Sequence, residues 1–428
     1  MPIETSREWS AGSRDPQLAK QLASEFARVR AQSEQICEPL AIDDYQLQSI
    51  PQTSPPKWHL AHVTWFFEAF VLPRFLPDYR PYHAGFAYLF NSYYYTQGEM
   101  HPRPRRGLLS RPTVAEILAY RASIDQQMLA LMEATEGPRR AQLESLVTLG
   151  LNHEQQHQEL LLMDIKHNFS INPLQPAYRD DLPPPRGVSH PVHWLEREGG
   201  IHTIGWEGLG FCFDNETPSH QVLLHDHRLA DRLVTNGEYL EFMADGGYRE
   251  PALWLSDGWA LINREHWHCP LYWGPGEVPD RQFTLGGPRD LDLHEPVCHL
   301  SYYEADAYAR WAGKRLPREE ELELVLAAQP LAGNFLENDL LHPAPAGVDG
   351  QWYGDLWAWT ESPYSAYPGF TPLAGSMGEY NGKFMSNQMV LKGGCCATPA
   401  GHLRASYRNF FYPDERWAFT GLRLAEDG

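Results

Sequence analysis

The run Leu151-Asn152-His153-Glu154-Gln155-Gln156-His157-Gln158-Glu159 sets two imidazoles four residues apart in a segment that reads as helix. Residues i and i+4 of a helix lie one above the other, so neutral His153 and His157 can meet one metal ion without rearranging the backbone. Leu160, Leu161, Leu162 and Ile165 mark this helix as buried, and a buried histidine needs a partner or a metal. A third ligand has to come from elsewhere. Trp58-His59-Leu60-Ala61-His62 offers two candidates, His59 and His62, on an earlier helix that Ser54 would cap with Pro55 just after it. Periodicity does not choose between them, because Trp58, Trp65, Phe66, Phe67 and Phe70 make that helix apolar nearly all round.

The literal pattern His153-Glu154-x-x-His157 is also that of zinc hydrolases, in which the glutamate is general base for a zinc-bound water. The extended metzincin pattern would need glycine at 160 and histidine at 163, where this chain has Leu160 and Met163. His167 comes ten residues after His157, about 80° away round the helix. That subclass is excluded, while a zinc hydrolase with a distant third ligand stays open.

The elements that must position these residues follow from composition. A chain of 428 residues forms two or three domains, each able to bury a core. Its formal charge of -20 argues against nucleic acid and anionic membrane as partners, since both demand a basic face. Met1–Arg14 is polar and no stretch approaches the roughly 20 apolar residues of a spanning helix, so a cytoplasmic protein is expected. Six cysteines without a C-x-x-C pair predict reduced thiols, with Cys395 and Cys396 as small buried residues beside Gly393-Gly394. Helical periodicity runs over 15–36, 57–77, 112–134 and 138–169, which predicts a four-helix bundle over 1–170 with the metal site between facing helices. A Pro-rich linker follows over 171–195. Residues 196–428 are rich in Gly, Trp and Tyr and predict an irregular domain with short strands and two helices, near Thr235–Met243 and Tyr302–Trp311. The fold class is therefore α+β.

Particular motifs carry a family resemblance. Asp214-Asn215-Glu216-Thr217-Pro218, Val234-Thr235-Asn236-Gly237-Glu238-Tyr239, Asp245-Gly246-Gly247-Tyr248, Trp311-Ala312-Gly313-Lys314-Arg315-Leu316-Pro317, Leu391-Lys392-Gly393-Gly394, Arg408-Asn409 and Gly421-Leu422-Arg423-Leu424-Ala425 occur in order. Together they resemble the formylglycine-generating, sulfatase-modifying fold, a C-type-lectin-like arrangement. Leu60-Ala61-His62 and His153-Glu154-Gln155-Gln156-His157 resemble the signatures of a DinB-like bundle. The pair of domains resembles the sulfoxide synthases of ergothioneine biosynthesis.

That resemblance implies one non-haem Fe(II) held by His62, His153 and His157, with positions left open for substrates and dioxygen. It implies joining the sulfur of a thiol to the imidazole of Nα,Nα,Nα-trimethylhistidine, with formation of a sulfoxide. Gln156 matches a family glutamine that touches the imidazole, and Glu154 becomes a supporting residue rather than a base. Arg103 and Arg106 suit clamping of the thiol donor's carboxylate. Asn409 and Phe410 match positions that hold the trimethylated substrate, and Tyr380 is expected to reach its imidazole through water; Trp417 is a further aromatic option. Relatives that use γ-glutamylcysteine have a catalytic tyrosine and an Asn-Trp-Asp run in the second domain. Here Met377 aligns with the tyrosine, and Asn409-Phe410-Phe411 lacks the acid, which points to cysteine as donor with γ-glutamylcysteine as the alternative. Tyr93 or Tyr94 then becomes the expected proton donor.

Overall fold

The computed structural model describes residues 16–274 and 279–428. The polar segment Met1–Arg14 and the expected helix start at 15 lie outside the described residues. The chain forms two compact units, Met1–Leu161 and Leu162–Gly428.

The first unit is built on α1 (Pro16–Cys37), α2 (Pro56–Phe70), the short α3 (Leu72–Phe75) and α4 (Phe86–Phe90), α5 (Val114–Ala134) and α6 (Pro138–Ser170). The division between the units falls inside α6. The four long helices occur where periodicity places them, but α2 ends at Phe70, earlier than the expected 77. Pro73 explains the break: it has no N–H for the carbonyl of Ala69, and its ring would press on that carbonyl. Ser54 is not the cap of α2. Pro55 takes that position with Pro56 as the first helical residue, and the Ser54 hydroxyl instead accepts from Arg106 Nη1 at 2.9 Å. Two successive prolines leave fewer N–H groups in need of a cap, so Ser54 is available for this role.

Every residue of α2 except Ala69 is buried, as a helix apolar on all sides requires. It packs on α5 and α1. A capping box starts α5: Thr113 Oγ1 accepts from Glu116 N at 3.3 Å, and Thr113 N donates to Glu116 Oε2 at 2.7 Å.

The second unit carries thirteen short strands among the described residues. In chain order these are β1 (Trp194–Arg197), β2 (Gly200–Ile204), β3 (His220–Leu224), β4 (His227–Ala230), β5 (Arg281–Thr284), β6 (Gly287–Asp290), β7 (Gly333–Asn334), β8 (Tyr353–Gly354), β9 (Trp357–Pro363), β10 (Met389–Lys392), β11 (Asn409–Phe411), β12 (Thr420–Gly421) and β13 (Ala425–Asp427). They form a three-stranded sheet β1-β4-β13, a four-stranded sheet β11-β10-β9-β12 and three two-stranded pairs.

The expected helices are present as α7 (Asn236–Ala244) and α9 (Tyr302–Trp311), each opened by a capping box, but α8 (Ser256–Glu265) and α10 (Glu319–Ala327) are present as well. In α8 the signal was weakened by Gly258, which is buried against Tyr303 where a Cβ would come within 2.8 Å. In α10 it was hidden because Glu319, Glu321 and Glu323 are buried, against the usual preference of carboxylates for water. Arg408, Arg315 and Lys392 neutralise them at 2.8, 2.7 and 2.8 Å. No disulfide joins the cysteines, and Cys395 and Cys396 are fully buried. Among the described residues no helix is long and apolar enough to cross a membrane.

Candidate metal centre

Helix α2 delivers His62, and α6 delivers His153 and His157; one ligand atom from each lies within 4.8 Å of the other two. The approach of the two helices depends on Gly150, one turn before His153. A Cβ there would meet Phe67 Cε1 at 2.4 Å and Cζ at 2.7 Å, so any larger residue would force α6 away from α2. Sequence reading missed Gly150, although a lone glycine one turn before a candidate ligand, inside a long helical pattern, was a usable signal.

His62 is fixed by α4. That helix ends at Phe90, whose carbonyl has no partner in its own helix, and His62 Nδ1 lies 2.6 Å from it. A carbonyl only accepts, so Nδ1 carries the proton and Nε2 presents its lone pair. This Nε2 stands 3.2 Å from Nε2 of His153. For metal–nitrogen bonds of about 2.0–2.1 Å, ligands at a right angle stand about 2.9 Å apart and ligands at the tetrahedral angle about 3.4 Å. The observed spacing therefore fits two imidazoles on one ion. His59 is not part of this cluster; its Nδ1 lies 2.8 Å from Nδ1 of His157 and orients that ring.

The opposite face of His62 is covered by Trp58, stacked at 4.6 Å with 13° between the planes. Arg106 lies on the indole with Cζ 3.4 Å from the ring centroid. Ser54 and Ser92 hold its guanidinium at 2.9 and 3.0 Å. The resulting guanidinium–indole–imidazole stack locks His62 in place and combines cation–π attraction with burial. Arg103, one turn earlier, is exposed and donates to the carbonyl of Gln52.

Burial holds the three imidazoles neutral. It lowers His153 to about 3, with Glu154 opposing only in part. For His62 and His157 burial again dominates, and the neighbouring histidines and Arg106 push both further down. Neutral imidazole is the form that binds a cation. His62 and His153 are fully enclosed, whereas His157 and the adjacent Gln156 are half-exposed and form the accessible side of the cluster.

Glu154 points elsewhere. Its Oε1 accepts from Arg121 Nη2 at 2.5 Å and Ser33 Oγ at 2.7 Å, and its Oε2 from Arg30 Nη1 at 2.8 Å. Burial alone would raise its pKa, but Arg121 and Arg30 hold it at about 2. A carboxylate so engaged cannot serve as general base, which removes the residue a zinc hydrolase needs. It is a buried strut that ties α6 to α1 and α5.

After α4, Asn91 shapes a turn by accepting from Tyr94 N at 3.1 Å and donating to the Tyr94 carbonyl at 2.9 Å. Tyr94 is fully buried against Phe70, with ring centroids 4.8 Å apart. Tyr93 is half-buried, its hydroxyl 3.5 Å from that of Tyr94, and burial raises its pKa, so the phenol stays protonated.

The second unit gathers its own candidates. Asn409, Phe410 and Phe411 form β11. Phe410 stacks on Tyr364 at 4.0 Å and 9°, and Phe411 meets Trp417 edge-on at 5.4 Å. Tyr380 stacks on Phe213 at 5.4 Å, and Met377 is buried close by in sequence. The segment Phe213-Asp214-Asn215 connects the two groups: Asn381 donates to Asp214 at 2.7 Å and Asn215 to Tyr364 at 2.9 Å.

Comparison with known proteins agrees with this architecture. The DinB superfamily matches residues 25–161, and the sulfatase-modifying factor enzyme 1-like domain matches 195–352 and 339–428. A hercynine oxygenase of Mycolicibacterium smegmatis is 33% identical over 95% of this chain and 98% of its own length. One of Mycobacterium tuberculosis is 31% identical over 95% and 99%. The formylglycine-generating enzyme of Streptomyces coelicolor is 28% identical but shares only 35% of this chain and 50% of its own. Relatives this similar along their whole length, with both units in the same order, place the chain in the hercynine oxygenase family and make it an oxygenase.

Proposed function

We propose that the protein joins the sulfur of cysteine to the imidazole of hercynine, Nα,Nα,Nα-trimethylhistidine, in ergothioneine biosynthesis, using Fe(II) bound by His62, His153 and His157. An imidazole C–H and the thiol S–H are replaced by a C–S bond, sulfur gains one oxygen atom, and the second oxygen of O2 leaves as water. The observation that carries this reading is the cluster of three neutral imidazoles, buried at His62 and His153 and accessible at His157, with no carboxylate in it among the described residues. When bound, Fe(II) supplies oxygen activation and open positions for the thiol and the imidazole.

The protein's own groups then have distinct tasks. Gln156 borders the accessible face and orients the hercynine imidazole. Asn409 and the aromatic group around Phe410 suit the carboxylate and the quaternary ammonium, with Tyr380 hydrogen-bonding through water. Arg103 meets the thiol donor's carboxylate, while Arg106 combines that pull with positioning of Trp58. Tyr93, protonated and half-exposed, supplies the proton, and Tyr94 supports it. Phe410 and Phe411 present apolar rings where a glutamyl ammonium would need an acid, which favours cysteine over γ-glutamylcysteine. Reduced thiols and the absence of disulfides suit a cytoplasmic enzyme.

The test is anaerobic reconstitution with Fe(II), then addition of oxygen with hercynine and either thiol, with products read by mass. Sulfoxide from cysteine in preference to γ-glutamylcysteine is expected. The opposite preference overturns the donor assignment, and a sulfur-linked product from neither donor overturns the reaction.

A further inference from the structure

A second histidine cluster lies within the second unit, in the segment that enters β1. His190, His193 and Asp231 each offer one ligand atom within 4.8 Å of the others. The β1–β4 ladder, in which Trp194 faces Ala230, brings them together: one step beyond its end, Asp231 N donates to the His193 carbonyl at 2.9 Å and His193 N to Asp231 Oδ1 at 3.0 Å. Oδ1 is thereby used, and Oδ2 faces both imidazoles, 3.3 Å from His193 Nδ1 and 3.7 Å from His190 Nε2.

The hydrogen bonding of His190 makes this arrangement unusual. Its Nδ1 lies 2.7 Å from the Pro191 carbonyl, which can only accept, so in the neutral ring Nδ1 carries the proton and Nε2 a lone pair. That lone pair is buried, has no hydrogen-bond partner, and confronts a carboxylate oxygen. Two acceptors facing each other in a mostly buried place repel unless something positive lies between them. Arg232 does not fill the gap: its guanidinium is paired with Glu238 at 2.7 and 2.9 Å. A cation does fit. With bonds of about 2.0–2.2 Å to nitrogen and oxygen, the edges of a tetrahedral site are about 3.3–3.5 Å long, and the two measured edges are 3.3 and 3.7 Å. The rings of His190 and His193 stack with their centroids 5.0 Å apart and their planes within 12° of parallel.

We propose that His190 Nε2, His193 Nδ1 and Asp231 Oδ2 bind a divalent cation of the Zn2+ class, separate from the three-histidine centre, with water completing the coordination. The donor set of two imidazoles and one carboxylate suits Zn2+ and its first-row neighbours and disfavours Mg2+ and Ca2+. Such an ion pins the end of the Pro-rich passage to the turn after β4. The proposal does not depend on the reaction assigned above.

The probe is Zn2+, titrated into metal-free protein against a competing chelator and counted by elemental analysis, in the wild type, in His193→Ala and in Asp231→Asn. His193 has a side chain 72% exposed and keeps its backbone bond to Asp231, so its replacement leaves the fold intact. Wild-type protein is expected to hold one Zn2+ beyond that at the three-histidine centre, and His193→Ala to weaken that extra ion at least about tenfold, as even loss of an outer-shell partner does. Asp231→Asn should have the same effect, and His153→Ala should spare the extra ion while removing the other. Wild-type protein holding no extra Zn2+, or an extra ion unmoved by His193→Ala, overturns the proposal. So does an NMR finding that His190 is doubly protonated at neutral pH with Zn2+ present.

Discussion

Glu154→Gln separates a structural from a catalytic role for the glutamate inside the histidine pattern. The substitution is nearly isosteric, but it leaves the buried guanidinium groups of Arg30 and Arg121 facing a neutral amide. Breaking a buried pair from one side typically costs about 3–5 kcal/mol. An independent figure comes from the carboxyl group itself, held at about 2 in the folded protein against an ordinary 4.5; at about 1.4 kcal/mol per unit this is about 3 kcal/mol. Because the folded value is depressed, that stability is fully present above pH 4.5 and is lost as pH falls toward 2. Urea denaturation of the wild type and the variant should therefore show a gap of about 3 kcal/mol at pH 7 that narrows between pH 4.5 and 2. A variant as stable as the wild type at pH 7, impaired only in turnover, would refute the reasoning and return Glu154 to the role of general base.

Gly150→Ala should destabilise the protein by about 1–3 kcal/mol through the clash with Phe67 and weaken metal binding in parallel; denaturation and metal content check it, and unchanged values for both would contradict the close-approach account. Tyr93→Phe should divert product from sulfoxide toward cysteine sulfinate more than Tyr94→Phe does, read by mass, and partitioning unchanged from the wild type in both variants would exclude a proton donor here. Since burial lowers His153 to about 3, metal affinity should stay nearly flat from about pH 7.5 to 5 instead of falling below the ordinary imidazole value of 6.5. In the metal-free protein the same shift makes stability decline as pH drops from 6.5 toward 3, because the unfolded chain takes up the proton first; chemical denaturation across that range measures it.

The periodic elements and the local pair of candidate ligands, His153 and His157, are legible in the linear chain. The helices at 112–134 and 138–169 are readable because an apolar stripe and a capping residue are local properties, and His153 and His157 face the same way because four residues make about one turn. Motifs with fixed spacing likewise carried the identity of both units. Tertiary structure decided what depends on distant partners. His62 rather than His59 joins the pair because Phe90 fixes its tautomer and Trp58 with Arg106 fixes its plane. Glu154 is a strut because Arg30 and Arg121 come from other helices. Helix α10 escaped recognition for the same reason, since its glutamates are buried only by virtue of cations far along the chain. Charge in a linear sequence reads as solvent-facing, and only the fold reveals which charges are paired inside.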